Sequence, residues 1–288
     1  MSVVGESSVL GHRVLVRGAT VSLPGAIDGR LLAGAHEDES DAVVIEAAGL
    51  WAIPGVVDAH THLAWHAFVE DDRDDDLDRA AAATARSLAA TLATGVTEAR
   101  DAGGLTVQGV DALPPGPRPR LRLAGPMLGA EHAGRGAGHL ARVVADAVAA
   151  GSTWIKVVAT GGLSAPSETV LDPVFTRDEL LEIGTAARSA GARVLAHAWG
   201  GSSIPWLVEA GVASIEHGIH LTTADADPLA SAGIVLVPPV AIYRQTSEAE
   251  TGVPVEIRDR AARAADAHAL AVAVARDAGV AIALGTDA

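Results

Sequence analysis

Residues 153–201 read TWIKVVATGGLSAPSETVLDPVFTRDELLEIGTAARSAGARVLAHAWGG. The stretch opens on an apolar, strand-like run, TWIKVVATGG. Thr176 follows, with Glu179 three residues on. At that spacing a hydroxyl and a carboxylate each cap the other's backbone at the start of a helix. ARVLAHAWGG then returns to a strand-like run. Strand, helix, strand is the unit of a parallel sheet, because the helix carries the chain back to run in the same direction.

The same alternation extends outward from this unit. Upstream lie AIPGVVDAH (52–60), VTEARDAGG (96–104) and RLRLAG (120–125); downstream lie VASIEHG (212–218), GIVLVPPV (233–240) and VAIALGTDA (280–288). Apolar residues at helical spacing mark Leu77 to Ala93 and His139 to Ala150 as helices. Eight strand candidates with helices between most of them predict an α/β fold, a (β/α)8 TIM barrel over residues 51–288, close to the ~250 residues that such a barrel occupies. Residues 1–50 read differently. VLVRGATVSL (14–23) and AVVIEAAGL (42–50) are β-rich runs, separated by turn residues in LPGAIDGR and a polar HEDESD stretch. The sequence stops at Ala288, one residue after Asp287. A complete barrel has a helix after its eighth strand, so the expectation is a barrel truncated after strand 8, with the C-terminal part missing.

Composition narrows the function. Of 288 residues, 49% are hydrophobic and only 3% aromatic, so the core is expected to be aliphatic. The net charge of -15 argues against a nucleic-acid partner, which calls for a basic face. With no cysteine there is neither a disulfide framework nor a thiolate metal site. The N-terminus lacks a basic segment followed by a long apolar stretch. No run approaches the ~18 apolar residues of a membrane helix. The expectation is a cytoplasmic enzyme with no membrane partner, and both a monomer and a homo-oligomer fit the acidic composition. The acidic run Glu70 to Asp78 has no glycine at a turn and no spaced glutamate of a calcium loop, so it reads as a solvated loop.

Six side chains with metal-binding chemistry sit at the ends of these strand runs: His60, His62, Lys156, His197, His217 and Asp287. His60 and His62 are two apart, and alternate strand residues point to one face, so two imidazoles can reach one ion. Active sites of such barrels form where the strands end. Lys156 lies inside the apolar run WIKVV, and a lysine there needs a partner. It reads either as a snorkelling or ion-paired lysine, or as one carboxylated by CO2 to a carbamate whose two oxygens bridge two metals. His197 and His217 can complete a second ion's shell, and Asp287 can ligate a metal and accept a proton. Ligands without sulfur suit zinc, with manganese, cobalt and iron as alternatives.

IKVVATGG, RDAGG, SIEHG and GTDA resemble the amidohydrolase superfamily, and more narrowly its imidazolonepropionase-related branch. That branch includes prolidase-like Xaa-Pro dipeptidases and carboxypeptidases acting on Xaa-Arg or Xaa-Lys. The resemblance implies a barrel joined to a small β-sandwich built from both chain ends, here its N-terminal share. It implies two divalent ions, one held by His60, His62 and Asp287, the other by His197 and His217, with the CO2-derived carbamate of Lys156 between them. Imidazolonepropionase itself resembles a mononuclear variant without the lysine, so Lys156 points away from that activity. The expected reaction is hydrolysis of an amide or peptide C–N bond of a dipeptide or N-acyl amino acid by a metal-bridging hydroxide, with Asp287 taking the proton. Tyr243, the single tyrosine, follows strand 7 where the branch often has one that touches the scissile carbonyl, although VPP stands here for the usual VPT. His139 in RGAGH resembles a Gly-Gly-His loop that contacts substrate, with Ala137 at its first glycine.

Other residues carry plainer expectations. His12, His36 and His268 are expected at the surface, and His66 and His132 in loops of the active face. His220 is expected beside the ligands. Asp101 is expected either to orient a ligand or to close a salt bridge with Arg100 or another base. The alternatives to a dipeptidase are a cyclic-amide, lactone or carbamate hydrolase on the same metal centre, and a catalytically inactive fragment.

Overall fold

The computed structural model describes residues 13–17, 20–21, 30–33, 42–64, 77–165, 169–249 and 252–288. The chain divides into two compact units, Met1–Gly55 and Val56–Ala288. In the first unit, β1 (Arg13–Arg17) lies between β3 (Arg30–Ala33), antiparallel, and β4 (Ala42–Glu46), parallel. A second ladder pairs β2 (Thr20–Val21) with β5 (Trp51–Ala52) in parallel. The RLLA strand β3 is too short for its pattern to stand out in the sequence.

The second unit repeats strand and helix. β6 (Val56–Thr61) pairs in parallel with β7 (Val96–Asp101), and β7 with β8 (Arg120–Leu123). A second parallel sheet runs β9 (Met127–Leu128), β10 (Trp154–Val158), β11 (Arg193–Ala198), β12 (Ser214–His217) and β13 (Val235–Val237). β8 and β9 are two halves of one barrel strand, interrupted at Gly125, whose φ of 67° only glycine adopts freely. The Thr153 amide donates to the Leu123 carbonyl across the interruption. The last eight residues close the ring. On one side the Leu236 amide donates to the Ala281 carbonyl and the Ala283 amide to the Leu236 carbonyl; on the other the Ala59 amide donates to Leu284 and the Asp287 amide to His60. Those residues thus take the place of the eighth strand, between β13 and β6, in the expected (β/α)8 barrel.

The helices follow the sequence closely. α1 spans Leu77–Ala93, α2 Val107–Asp111 and α3 His139–Ala149. α4 (Arg177–Ser189) begins at the expected capping box: Thr176 accepts from the Glu179 amide, and Glu179 accepts from the Thr176 amide. α5 (Ser203–Ala210) lies so close to α4 that a Cβ on Gly184 would collide with the Ala210 carbonyl. The core between strands and helices is aliphatic: Ile155, Val157, Val194 and Ile215 meet Leu180, Ile183 and Leu207. After α6 (Thr223–Ala232) and β13 come α7 (Val240–Ser247) and α8 (Val255–Asp277). The buried residues of α8 are Ala261, Ala264, Ala265, His268, Ala271 and Ala275, spaced as one face of a helix. His268 is therefore fully buried, against its expected surface position, because it falls on that apolar face. No described helix is long and apolar enough to cross a membrane.

Candidate metal centre

His60 and His62 stand at the end of β6, and each has one ring nitrogen already committed. His60 Nδ1 lies 2.5 Å from Glu216 Oε2, and His62 Nδ1 lies 3.0 Å from the Gly103 carbonyl. A carbonyl only accepts, so Nδ1 of His62 carries the hydrogen and its Nε2 presents a lone pair. Both Nε2 atoms face Asp287 Oδ1, at 3.2 Å from His60 and 3.4 Å from His62. One ligand atom from each of the three lies within 4.8 Å of the others, a separation one ion can span. Asp58 fixes Asp287 here: its carboxylate accepts from the His60 amide and from the amide and hydroxyl of Thr286.

The other three residues close around this group. The Lys156 side chain is buried on β10, with Nζ 3.5 Å from His60 Nε2. His197, on β11, bonds the Gly161 carbonyl through Nε2 at 2.9 Å, which leaves Nδ1 as its ligand atom. His217 ends β12 with a φ of 72°, and its ring centroid is 4.4 Å from that of His197 and 5.0 Å from that of His60. Its Nδ1 is 3.9 Å from Asp287 Oδ2. The structure thus brings together all six residues singled out in the sequence.

Protonation in this cluster follows from burial and charge. Burial, and then Lys156, push His62 and His197 down to about 4, so both rings are neutral near pH 7. Burial also pushes the Lys156 ammonium down, although Glu216 and Asp287 oppose it. Burial alone would raise Asp287 and Glu216, but facing cations hold both at about 2: chiefly His60 for Asp287 and Arg100 for Glu216. His60 is the exception. Burial and Lys156 lower it, yet Asp287 and Glu216 outweigh them and its pKa lies above 6.5. A metal bound at its Nε2 would displace a proton.

A second layer holds the first. Arg100 donates from Nε to the Ala59 carbonyl (2.6 Å), from Nη1 to Ser214 (3.1 Å) and from Nη2 to Glu216 (2.9 Å). Glu216 was not singled out in the sequence, although a charged residue inside the wholly buried SIEH strand was a signal. Asp101 does not pair with Arg100. It accepts from the amides of Leu63, Gly103 and Leu105, and so fixes the loop whose Gly103 carbonyl orients His62. His268 lies 2.7 Å through Nε2 from the His217 carbonyl, at the residue with the left-handed backbone, and so acts there as donor.

The remaining candidates divide. Tyr243 sits on α7 with its hydroxyl 2.8 Å from His217 Nδ1, and burial keeps its pKa well above 10. For His217 Nε2 to offer a lone pair, Nδ1 must donate to the tyrosine oxygen, which leaves the phenol O–H for another acceptor. His139, at the start of α3, lies instead against His132, Nε2 to Nδ1 at 3.3 Å. His220 lies near Trp199, ring centroids 6.1 Å apart. His12, His36, His66 and residues 70–76 of the acidic run lie outside the described residues.

A profile described as "Amidohydrolase family" matches residues 51–288. An uncharacterized protein of Mycobacterium tuberculosis (strain ATCC 25618 / H37Rv) is 32% identical over 256 residues, covering 83% of this chain. The chain spans 65% of the length of that relative. Among solved structures, a prolidase complexed with N-methylphosphonate-L-proline superimposes with a TM-score of 0.77 at 23% identity, covering 96% of this chain and 78% of that one. A Xaa-Pro dipeptidase with methionine bound in its active site gives 0.79 at 20% identity, covering 96% and 79%. At these identities the two structures are evidence of a shared fold.

Proposed function

Since the chain belongs to the amidohydrolase family, we propose that it is a metal-dependent hydrolase of amide bonds in dipeptides of the Xaa-Pro kind or in N-acyl amino acids. The observation that carries this reading is the convergence of His60, His62 and Asp287 within one ion's span, with the Lys156 amine 3.5 Å from His60. The donor set fits two divalent ions of the zinc class. His60, His62 and Asp287 would hold one, and His197 through Nδ1 and His217 through Nε2 the other. Lys156 would join them as a carbamate, for which a buried amine with a lowered pKa is the required nucleophile toward CO2. When bound, such ions supply Lewis acidity that polarises a carbonyl and acidifies water.

The chain's own groups do the rest. Asp287 is ionised and has Oδ1 turned to His60 and His62, which leaves Oδ2 to accept the proton of the attacking water. It then returns that proton to the leaving nitrogen. The phenol O–H of Tyr243 donates to the carbonyl oxygen as negative charge grows there. His139 is assigned a substrate contact on the likeness of its loop alone. The fold likeness to a prolidase and a Xaa-Pro dipeptidase supports the choice of substrate class.

The test is hydrolysis of Xaa-Pro dipeptides and N-acyl amino acids by the chain loaded with zinc in bicarbonate. Turnover by the native chain, with D287N reduced about 10²–10⁴-fold, is the expected result. Full activity in D287N would overturn the assignment.

A further inference from the structure

A cavity of about 450 Å³ opens toward the other end of the barrel, where Trp154 and Arg193 begin β10 and β11, and is lined also by side chains from within β6, β7 and β8. Its charge is opposite to that of the chain. The chain carries a net -15, yet the ionisable residues lining this cavity are Arg100, Arg122, Arg193 and one acid, Glu98. Glu98 is already shared, accepting from Arg122 at 2.9 Å and pairing with Arg120 at 3.6 Å. Arg100 and Arg193 both lie over the Trp154 ring, 4.4 Å and 5.7 Å from its centroid. Of these two, only Arg100 has a carboxylate partner, Glu216. Arg193 makes no ion pair with any described residue. The three nitrogens of Arg100 each make one bond to described residues, and a guanidinium has five N–H groups, so two remain.

We propose that this amino-terminal mouth of the barrel binds a small dianion, a dicarboxylate or a phosphate, held by Arg193 and Arg122 at the rim and Arg100 at the base. Guanidinium forks match the paired oxygens of carboxylate and phosphate. Trp154 supplies an apolar wall, and the cavity volume suits a metabolite-sized ligand. The mouth and the metal end share a residue, because Arg100 also grips the Glu216 that orients His60.

Calorimetric titration of the metal-free chain at fixed ionic strength, with inorganic phosphate and separately with succinate, tests this. Removing metal keeps phosphate from reporting on the histidine cluster. Saturable binding of at least one probe is expected, and which of them saturates tells phosphate from dicarboxylate. R193Q and R122Q, both at exposed positions, should each weaken that binding about tenfold, with melting temperatures in the absence of probe unchanged. Failure of both probes to saturate, or native affinity in both variants, would overturn the proposal.

Discussion

Glu216 and His60, 156 residues apart in sequence, are joined by a 2.5 Å contact between carboxylate Oε2 and ring Nδ1, with both side chains fully buried. The contact turns Nε2 of His60 toward Asp287. It also places a negative charge behind the ring, which makes that nitrogen a better donor to a metal. E216Q keeps the shape and removes the charge. Its metal affinity should fall about 10–100-fold, the usual cost of losing such a support. Competition against a chelator measures it, and native affinity in E216Q would refute the role.

His268 supports the opposite wall, at the His217 carbonyl. H268A should destabilise the chain by about 2–4 kcal/mol, from the lost donor and the cavity left behind. H268Q, which retains a donor, should recover part of this. Urea unfolding of the three chains decides it, and equal losses in both variants would mean that packing alone matters.

Acid should destabilise the metal-free chain in two stages. His62, His197 and His268 are held at about 4 against 6.5 in the unfolded chain. A depressed histidine means the unfolded state binds the proton first, so the contribution of these three is complete above about pH 6.5 and falls as pH drops toward 4. His60, raised by its carboxylates, works the other way and over a different range: its contribution is complete below about pH 6.5 and is lost as pH rises above it. Glu216 and Asp287, at about 2, add a second loss between the ordinary carboxylate pKa of about 4.5 and pH 2. Denaturant midpoints across pH 2–8 give the profile, and a stability flat from pH 7 to 4 would contradict it.

Tyr243 and the helix cap give two further tests. Y243F keeps the ring packed and should retain both metals while lowering kcat on any substrate found, by roughly 10²-fold if the phenol meets the developing oxyanion. Loss of metal in Y243F would mean that the hydroxyl serves only to orient His217. T176A removes half of the capping box on α4 and should cost about 1 kcal/mol, read as a fall of roughly 2–4 °C in Tm.

The sequence carried the barrel and the six clustered residues because both depend on short-range pattern. Apolar runs ending in His or Asp mark strand and rim together, Lys156 stands out as a charge inside the apolar β10, and Thr176 with Glu179 marks a helix start within four residues. What it did not carry depends on distant partners. Glu216 becomes a support only because β6 and β7 bring His60 and Arg100 to it. Asp101 chose three backbone amides over its neighbour Arg100, a choice made by the loop's course. His268 looked peripheral because it lies on no strand, although its helical spacing with Ala264 and Ala271 was visible in advance.

The central claim is that the six residues form one two-metal site bridged by Lys156. The most direct measurement is metal per chain by elemental analysis, after loading with zinc and bicarbonate, for the native chain and for K156A. About two ions per native chain, falling to one or fewer in K156A, is the predicted result. Two ions retained in K156A, or fewer than one in the native chain, would contradict it.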